Sequence, residues 1–248
     1  MLVLLGLMLA AFTSGILNAV AGGGAFVTFP ALLFAGLPPV AANASSTVAL
    51  FPGQATSAWA YRTDIGDTEA VSVRVFTVLS AVGGLLGAVL LLVTPNAVFA
   101  RLVPWLLLFA TLVFAAGNFL PKGGQARVRL GGRGVVLTQF LISVYGGYFG
   151  GGIGFLMLAA LTLYGMRDIH AMNGLKLLLA TIMNGAAVVA FIAAGAVRWP
   201  ETMVMALAAI AGGWVGAKGA KRVDQRVIKG LVVALGAAMS LYFFWRGA

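Results

Sequence analysis

The stretch Gly22-Gly23-Gly24 places three consecutive glycines inside an apolar run, and the same triplet returns as Gly150-Gly151-Gly152 in the second half of the chain. Each glycine lowers helix stability by about 1 kcal/mol relative to alanine. Each triplet therefore predicts the end of one helix and the start of another. Within a bilayer, non-helical backbone is tolerated only where it is buried in protein or lines a cavity, because its polar groups need partners. The triplets thus predict an interior site, provided that the chain is a membrane protein.

The composition meets that condition. Of the 248 residues, 61% are hydrophobic and only 9% are charged, and the mean hydropathy is +1.04, far above the value for a soluble domain. Apolar runs long enough for transmembrane helices fill most of the chain, without the period-2 alternation of membrane strands. The sequence predicts an all-α polytopic membrane protein that contacts the lipid bilayer. Because the basic residues lie in short loops, the net charge of +10 indicates topology and not nucleic-acid binding.

The apolar runs predict five helical segments in each half. They cover residues 2–21, 25–37, 40–61, 70–93 and 98–120 in the first half, and 134–149, 153–166, 169–194, 200–217 and 227–245 in the second. The second segment of each half is too short for an untilted span and predicts a half-helix or a re-entrant piece. We divide the chain into a first repeat at 1–120, a basic cytoplasmic linker at 121–133 and a second repeat at 134–248.

Individual residues support the repeat. The glycine triplets are 128 positions apart, Asn43 and Gln54 match Asn173 and Asn184 at a spacing of 130, and the GGxxGA motif of residues 83–88 recurs at 212–217. The GxxxG spacing inside these motifs lets helix backbones approach closely. We interpret the motifs as packing surfaces.

The distribution of basic residues predicts the orientation of the halves. The linker and the loop at 218–229 are the most basic stretches, so the positive-inside rule places both in the cytoplasm. With this orientation, twelve basic residues of the loops lie on the cytoplasmic side of the membrane and three lie on the outer side. Each half makes an odd number of crossings, which inverts one repeat relative to the other and places both termini outside. Inverted repeats with interrupted helices are the architecture of secondary transporters.

Three motifs carry a resemblance to a known family. They are residues 15–26 (GILNAVAGGGAF) followed by Pro30, residues 41–47 (AANASST), and the two GGxxGA motifs. Together they resemble the TauE/SafE family of sulfite exporters over nearly the whole chain. The resemblance implies an exporter or permease of a bacterial-type inner membrane for sulfite, sulfonates or other small anions. The second half departs from the first where Lys176 replaces the counterpart Ser46, which indicates a specialised half-site.

The starts of the two short segments are candidate anion sites. Helix N-termini present unpaired N–H groups and about half a positive charge each. The alternative to an anion site is that these glycines only allow tight packing of the helices. The first long helix adds a polar stripe, since Asn43, Thr47, Gln54, Ser57 and Tyr61 follow helical spacing. Hydroxyls that bond to their own helix would explain the Ser and Thr members, but the amides need outside partners.

Asn173, Lys176 and Asn184 form the equivalent stripe on the second long helix. Lys176 is the only charged residue well inside a predicted span, where a lysine costs about 2.5 to 3.5 kcal/mol. It either snorkels towards the interface or points into the stripe with a bound anion as its partner, which we predict. The predicted substrate-binding residues are Gly23, Gly24, Ala25, Phe26, Asn43, Thr47, Gln54, Gly151, Gly152, Ile153, Asn173, Lys176 and Asn184.

Other functions find little support. The six acidic residues and His170 lie in loops or at helix ends, so no acid–base pair or nucleophile triad of an enzyme is visible. With no cysteine, a metal site is not expected, and neither is a cofactor. The sequence predicts a secondary transporter that holds a small anion between the two helix starts and works by alternating access, with a passive anion channel as the alternative. The sequence leaves open the exact substrate, the direction of transport, the coupling ion and the oligomeric state. A homodimer is one option for the last.

Overall fold

A computed structural model of the protein describes residues 2–20, 23–64, 71–119, 130–219 and 225–246. The described chain is all-helical and confirms the predicted class. The helices are α1 (Leu2–Val20), α2 (Ala25–Phe34), α3 (Pro39–Ala60), α4 (Val73–Val93), α5 (Asn96–Phe119), α6 (Gly132–Tyr148), α7 (Ile153–Leu163), α8 (Ile169–Ala193), α9 (Trp199–Gly219) and α10 (Gln225–Arg246). Arg133, which we assigned to the linker, lies in the first turn of α6. The linker residues 121–129 lie outside the described part.

The short helices α2 and α7 end three residues before their predicted limits at 37 and 166. Gly36 and Gly165 stop them with positive φ angles of 89° and 94°. Leu37 N then donates to Leu32 O, and Met166 N to Leu161 O, each at 3.1 Å, which is the Schellman arrangement of a helix end. At 10 and 11 residues, each helix is about 15 Å long, roughly half the thickness of a hydrocarbon core.

The predicted break between α6 and α7 is confirmed. Gly150 and Gly152 have φ angles of 76° and 70°, a region that residues with side chains rarely adopt. In the first break, Gly23 has a φ of 92° and Gly24 directly precedes α2, while Gly22 lies outside the described residues.

The packing of the helices follows the sequence repeat. α1 packs on α9 as α6 packs on α4, and α3 contacts α9 as α8 contacts α4. α2 lies beside α1 and α3, as α7 lies beside α6 and α8, and α5 and α10 pack on each other. Each of these contacts therefore has a counterpart when the first five helices are matched with the last five.

The GGxxGA motifs lie at close helix contacts, which confirms their interpretation as packing surfaces. A Cβ added at Gly83 of α4 would lie 2.6 Å from the Cβ of Ser143 on α6. One added at Gly87 would collide with the carbonyl oxygen of Val144, and one added at Gly212 of α9 with the carbonyl oxygen of Phe12. Only glycine allows these backbones to touch.

Within the described chain, three helices are long and apolar enough to cross a membrane: Val73–Val93, Asn96–Ala116 and His170–Ala193. Their outer faces carry exposed large apolar side chains such as Trp105 and Val78. Phenylalanines including Phe29, Phe114 and Phe191 are fully buried. The interrupted helices α2 and α7 therefore pack inside a bundle with an apolar outer surface.

Candidate functional site

The start of α7 presents several unused hydrogen-bond donors. The N–H groups of Gly151, Gly152 and Gly154 have no acceptor among the described residues. The carbonyl of Gly151 is held in place, because it accepts a hydrogen bond from the Tyr145 hydroxyl at 2.8 Å. Three free N–H groups at the positive end of a helix dipole are a suitable environment for an anion. Ile153, the remaining predicted residue here, has a buried side chain near Gly146, and its N–H donates to the carbonyl of Gly150 at 3.4 Å.

Lys176 reaches the start of α7 from the neighbouring helix α8. Its Cδ is the nearest atom, at 3.8 Å, to a Cβ added at Gly154. Its Nζ donates to Oδ1 of Asn173 at 2.9 Å, and no carboxylate of the described chain forms an ion pair with it. An ammonium group has three N–H donors. Two of them thus remain available, on a side chain that passes Gly154 at the start of α7.

Gln54 and Asn184, the amides of the two long helices, bond to each other. Asn184 Nδ2 donates to Gln54 Oε1 at 2.7 Å, although the residues belong to different repeats. Asn184 Oδ1 is buried and has no hydrogen-bond partner within the described ranges. It lies 4.0 Å from a Cβ added at Gly150. The outside partner that we predicted for Gln54 is therefore Asn184, the residue at the matching position 130 residues further along the chain.

The hydrogen bond between Gln54 and Asn184 should be measurable as a coupling energy. We expect Gln54→Ala and Asn184→Ala to destabilise the protein less in combination than the sum of the single effects, by about 0.6 to 1.7 kcal/mol, as found for hydrogen bonds between membrane helices. Equilibrium unfolding in mixed detergent micelles measures the four free energies. The control cycle pairs Gln54→Ala with Thr162→Ala, because Thr162 is exposed and bonds only to its own helix, and it should be additive. If the effects of Gln54→Ala and Asn184→Ala add, the hydrogen bond between these two side chains does not stabilise the protein.

The predicted stripe on α3 does not form one surface. Asn43 is buried, and its Nδ2 donates at 3.1 Å to the carbonyl oxygen of Tyr148 at the end of α6. Thr47 and Ser57 bond at 2.9 Å to the carbonyls of Asn43 and Gly53 in their own helix, so the local explanation is correct for these two hydroxyls. Ser57 and Tyr61 are exposed. Substrate contact by Asn43 and Thr47 stays a prediction.

The start of α2 is surrounded by hydroxyl groups that we did not predict as part of a site. The carbonyl of Gly24 accepts hydrogen bonds from Ser14 Oγ at 2.8 Å and from Thr28 Oγ1 at 3.3 Å. Thr28 Oγ1 also lies 2.7 Å from Ser46 Oγ. The N–H of Gly24 donates to Asn18 Oδ1 at 3.5 Å. The sequence signal for this network is the presence of Ser and Thr inside otherwise apolar helices.

Phe114 of α5 contacts both interrupted helices. Its ring centroid is 6.2 Å from that of Phe26 on α2 and 4.2 Å from that of Phe155 on α7. A Cβ added at Gly23 would lie 3.3 Å from the same ring. The first turns of both short helices, with Phe26 next to Ala25 in α2 and Phe155 in α7, thus contact one buried aromatic ring.

The acidic residues of the described chain lie at helix ends. Asp168 caps α8, with Oδ1 accepting from the N–H of His170 at 2.9 Å, and Glu201 lies in the first turn of α9. No group of three or more His, Cys, Asp or Glu residues that could hold a metal ion occurs within the described ranges. The polar groups described near the breaks are therefore backbone N–H donors, hydroxyls, amides and the ammonium group of Lys176.

Known proteins that are similar to this chain are described as membrane transporters. Residues 7–243 match the family described as Sulfite exporter TauE/SafE. The chain is similar to "Probable membrane transporter protein ORF9" of a Sinorhizobium species, with 32% identity over 95% of this chain and 90% of the relative. It is also similar to a "Probable membrane transporter protein" of Haemophilus influenzae, with 30% identity over 92% of this chain and 89% of the relative.

A third relative is "Probable membrane transporter protein YfcA" of Escherichia coli, with 29% identity over 94% of this chain and 87% of the relative. The match to the family spans both repeats and both breaks. The chain belongs to the TauE/SafE family and is a membrane transporter.

Proposed function

We propose that the protein is a secondary transporter that exports a small anion, such as sulfite or an organosulfonate, across the bacterial inner membrane. The observation that carries this proposal is the position of Lys176 beside the free N–H groups at the start of α7. A half-buried ammonium with no paired carboxylate in the described chain needs a negative partner. A bound anion supplies that partner.

The surroundings of Lys176 favour an anion over a cation. The ammonium and the N–H groups of Gly151, Gly152 and Gly154 are all donors. The helix dipole adds positive potential at the same place. A sulfite ion or a sulfonate group carries several acceptor oxygens on one sulfur atom. Such a group can accept hydrogen bonds from several of these donors at once.

The arrangement of the helices supports transport by alternating access between inverted repeats. Each repeat has one helix of about half a membrane thickness, and both half-helices start against Phe114. Counterpart helices of the two repeats make counterpart contacts. Discontinuous helices that point their N-termini at an anionic substrate, at the interface of two repeats, occur in other secondary transporters.

Transport by purified protein in liposomes tests the proposal. A panel of sulfite, sulfate, methanesulfonate and acetate should identify at least one sulfur oxyanion whose flux saturates and is accelerated by the same anion on the opposite side. Empty liposomes and liposomes with heat-denatured protein serve as controls. Flux that neither saturates nor shows trans-stimulation would indicate a channel. Transport of a cation without transport of any sulfur oxyanion would contradict the proposal.

The proposed topology places residues 121–133 in the cytoplasm and both termini outside. The chain has no native cysteine, so Gln125→Cys provides a single label site in this linker. We expect an impermeant maleimide added to intact cells to leave it unlabelled, and to label it after permeabilisation. Ala248→Cys is the matched control and should be labelled in intact cells. Labelling of the Gln125→Cys variant from outside would overturn the orientation.

A further inference from the structure

We infer that the second repeat alone binds the anion, through the start of α7 and Lys176. At the start of α2 in the first repeat, the hydroxyls of Ser14, Thr28 and Ser46 form a structural network that binds no anion, which we call the hydroxyl joint. The inference rests on the proposed function and narrows the expectation that both helix starts hold the substrate. It assigns a single anion site to a protein with two similar helix breaks. Matched positions near the two breaks carry different residues, and these differences support the assignment.

In the first repeat, the polar groups around the break already bind each other. The carbonyl of Gly24 accepts from Ser14 and from Thr28, and a carbonyl oxygen has two lone pairs. Ser46, the counterpart of Lys176, lies 2.7 Å from Thr28 Oγ1. All three hydroxyl side chains are buried. These hydroxyls are committed within the protein, and they carry no charge that an anion could neutralise.

Space at the first break is also restricted. A Cβ added at Gly24 would lie 2.5 Å from Ser14 Oγ and 3.0 Å from the carbonyl oxygen of the same residue. The N–H of Gly24 is directed to Asn18 Oδ1. An anion that approached Gly24 would meet two oxygen atoms of Ser14, whose lone pairs would repel it.

The described part of the second repeat has no counterpart of this Ser–Thr network. The Tyr145 hydroxyl bonds to the carbonyl of Gly151 instead, and a charge replaces the hydroxyl of Ser46. The positions that match Thr28 at spacings of 128 to 130 are Leu156, Met157 and Leu158, none of which can bond to the break as a hydroxyl does. Lys176 stands where the first repeat has Ser46. The chain has thus kept the backbone break in both repeats but places a positive charge at only one of them.

At the second break, space is also restricted at Gly152, the counterpart of Gly24, where an added Cβ would lie 3.0 Å from the carbonyl oxygen of Ala110, but it opens at Gly154. The nearest atom to a Cβ added at Gly154 is Lys176 Cδ, at 3.8 Å, an ordinary contact with a flexible side chain. Asn184 Oδ1 lies near Gly150 and has no partner among the described residues.

Exchange of residues between matched positions tests the inference. Sulfite and methanesulfonate binding to purified protein is measured by isothermal titration for the wild type and three variants. Lys176→Ser introduces the residue of the first repeat, Lys176→Ser with Ser46→Lys moves the charge to the first repeat, and Thr28→Val with Ser46→Ala removes the hydroxyl joint. Melting temperatures and gel filtration confirm that each variant is folded. If the Thr28→Val and Ser46→Ala variant does not fold, Ser46→Ala alone replaces it.

We expect Lys176→Ser to weaken binding at least about tenfold, equivalent to roughly 1.4 kcal/mol, with no recovery when Ser46→Lys is added. Removal of the hydroxyl joint should change the dissociation constant less than about threefold while it lowers the melting temperature. Recovery of binding by Ser46→Lys, or loss of binding on removal of the joint, would overturn the inference and leave the proposed function standing. A wild-type protein that binds no sulfur oxyanion would instead contradict the proposed function itself.

Discussion

Lys176→Met is expected to insert and fold at least as well as the wild type and to lose most of its affinity for anions. Methionine removes a half-buried ammonium whose only hydrogen bond in the described chain goes to Asn173. Insertion scales assign a central lysine a cost of about 2.5 to 3.5 kcal/mol, which methionine avoids. A hydrogen bond to a charged group contributes about 1.5 to 3 kcal/mol. Anion affinity should therefore fall roughly 10- to 100-fold.

The matched variant is Lys176→Arg, which keeps the charge and should retain part of the affinity. Its planar guanidinium has a different reach and geometry from the ammonium, so full affinity is not expected. Isothermal or fluorescence titration with sulfite and methanesulfonate compares the three proteins, and their yields in the membrane report on insertion. Unchanged affinity in Lys176→Met would identify Lys176 as a snorkelling lysine and leave the N–H groups at the breaks as the anion contact.

Gly87→Ala is expected to cause a large loss of stability, because its Cβ would meet backbone atoms of the neighbouring helix. The added methyl group would overlap the carbonyl oxygen of Val144 and approach the backbone nitrogen of Tyr148 to 2.7 Å. Backbone atoms cannot rotate away, so α4 and α6 must separate. Overpacking of this kind costs about 1 to 3 kcal/mol or more. Gly212→Ala should behave similarly, because its methyl group would meet the backbone of Phe12.

Gly230→Ala is the control for this experiment. It lies inside α10, and a Cβ added there meets no atom within 4 Å. Alanine is the better helix former by about 1 kcal/mol, so this variant should be as stable as the wild type or slightly more stable. Melting temperatures in detergent, read from the elution of intact protein after heating, compare the variants. Equal stability of Gly87→Ala and Gly230→Ala would show that α4 and α6 are less closely packed than described.

The helices and the break between α6 and α7 were predictable because local properties determine them. Apolar runs locate the helices, and a glycine triplet interrupts a helix whatever its surroundings. The short helices were predicted three residues too long, since Gly36 and Gly165 end them in Schellman turns within runs that remain apolar. Hydropathy alone does not report such a turn.

The partners of polar side chains were less predictable, because they depend on contacts between distant parts of the chain. The helical stripe on α3 correctly indicated that Asn43 and Gln54 need partners outside their helix. It could not indicate that Asn43 would bond to the backbone of Tyr148, 105 residues away. The hydroxyl network of Ser14, Thr28 and Ser46 joins three helices, and periodicity within one helix carries no information about it.

The bond between Gln54 and Asn184 bears on how the two repeats can move. Two residues that a twofold operation exchanges can touch only where its axis passes between them. If the repeats exchange conformations, this contact maps onto itself and acts as a pivot, whereas the bond from Asn43 to Tyr148 gives way to its counterpart in the other repeat. That counterpart is made by Asn173, which here accepts from Lys176. Rocking about the pivot would then move Asn173, and with it the Oδ1 acceptor that positions the ammonium of Lys176.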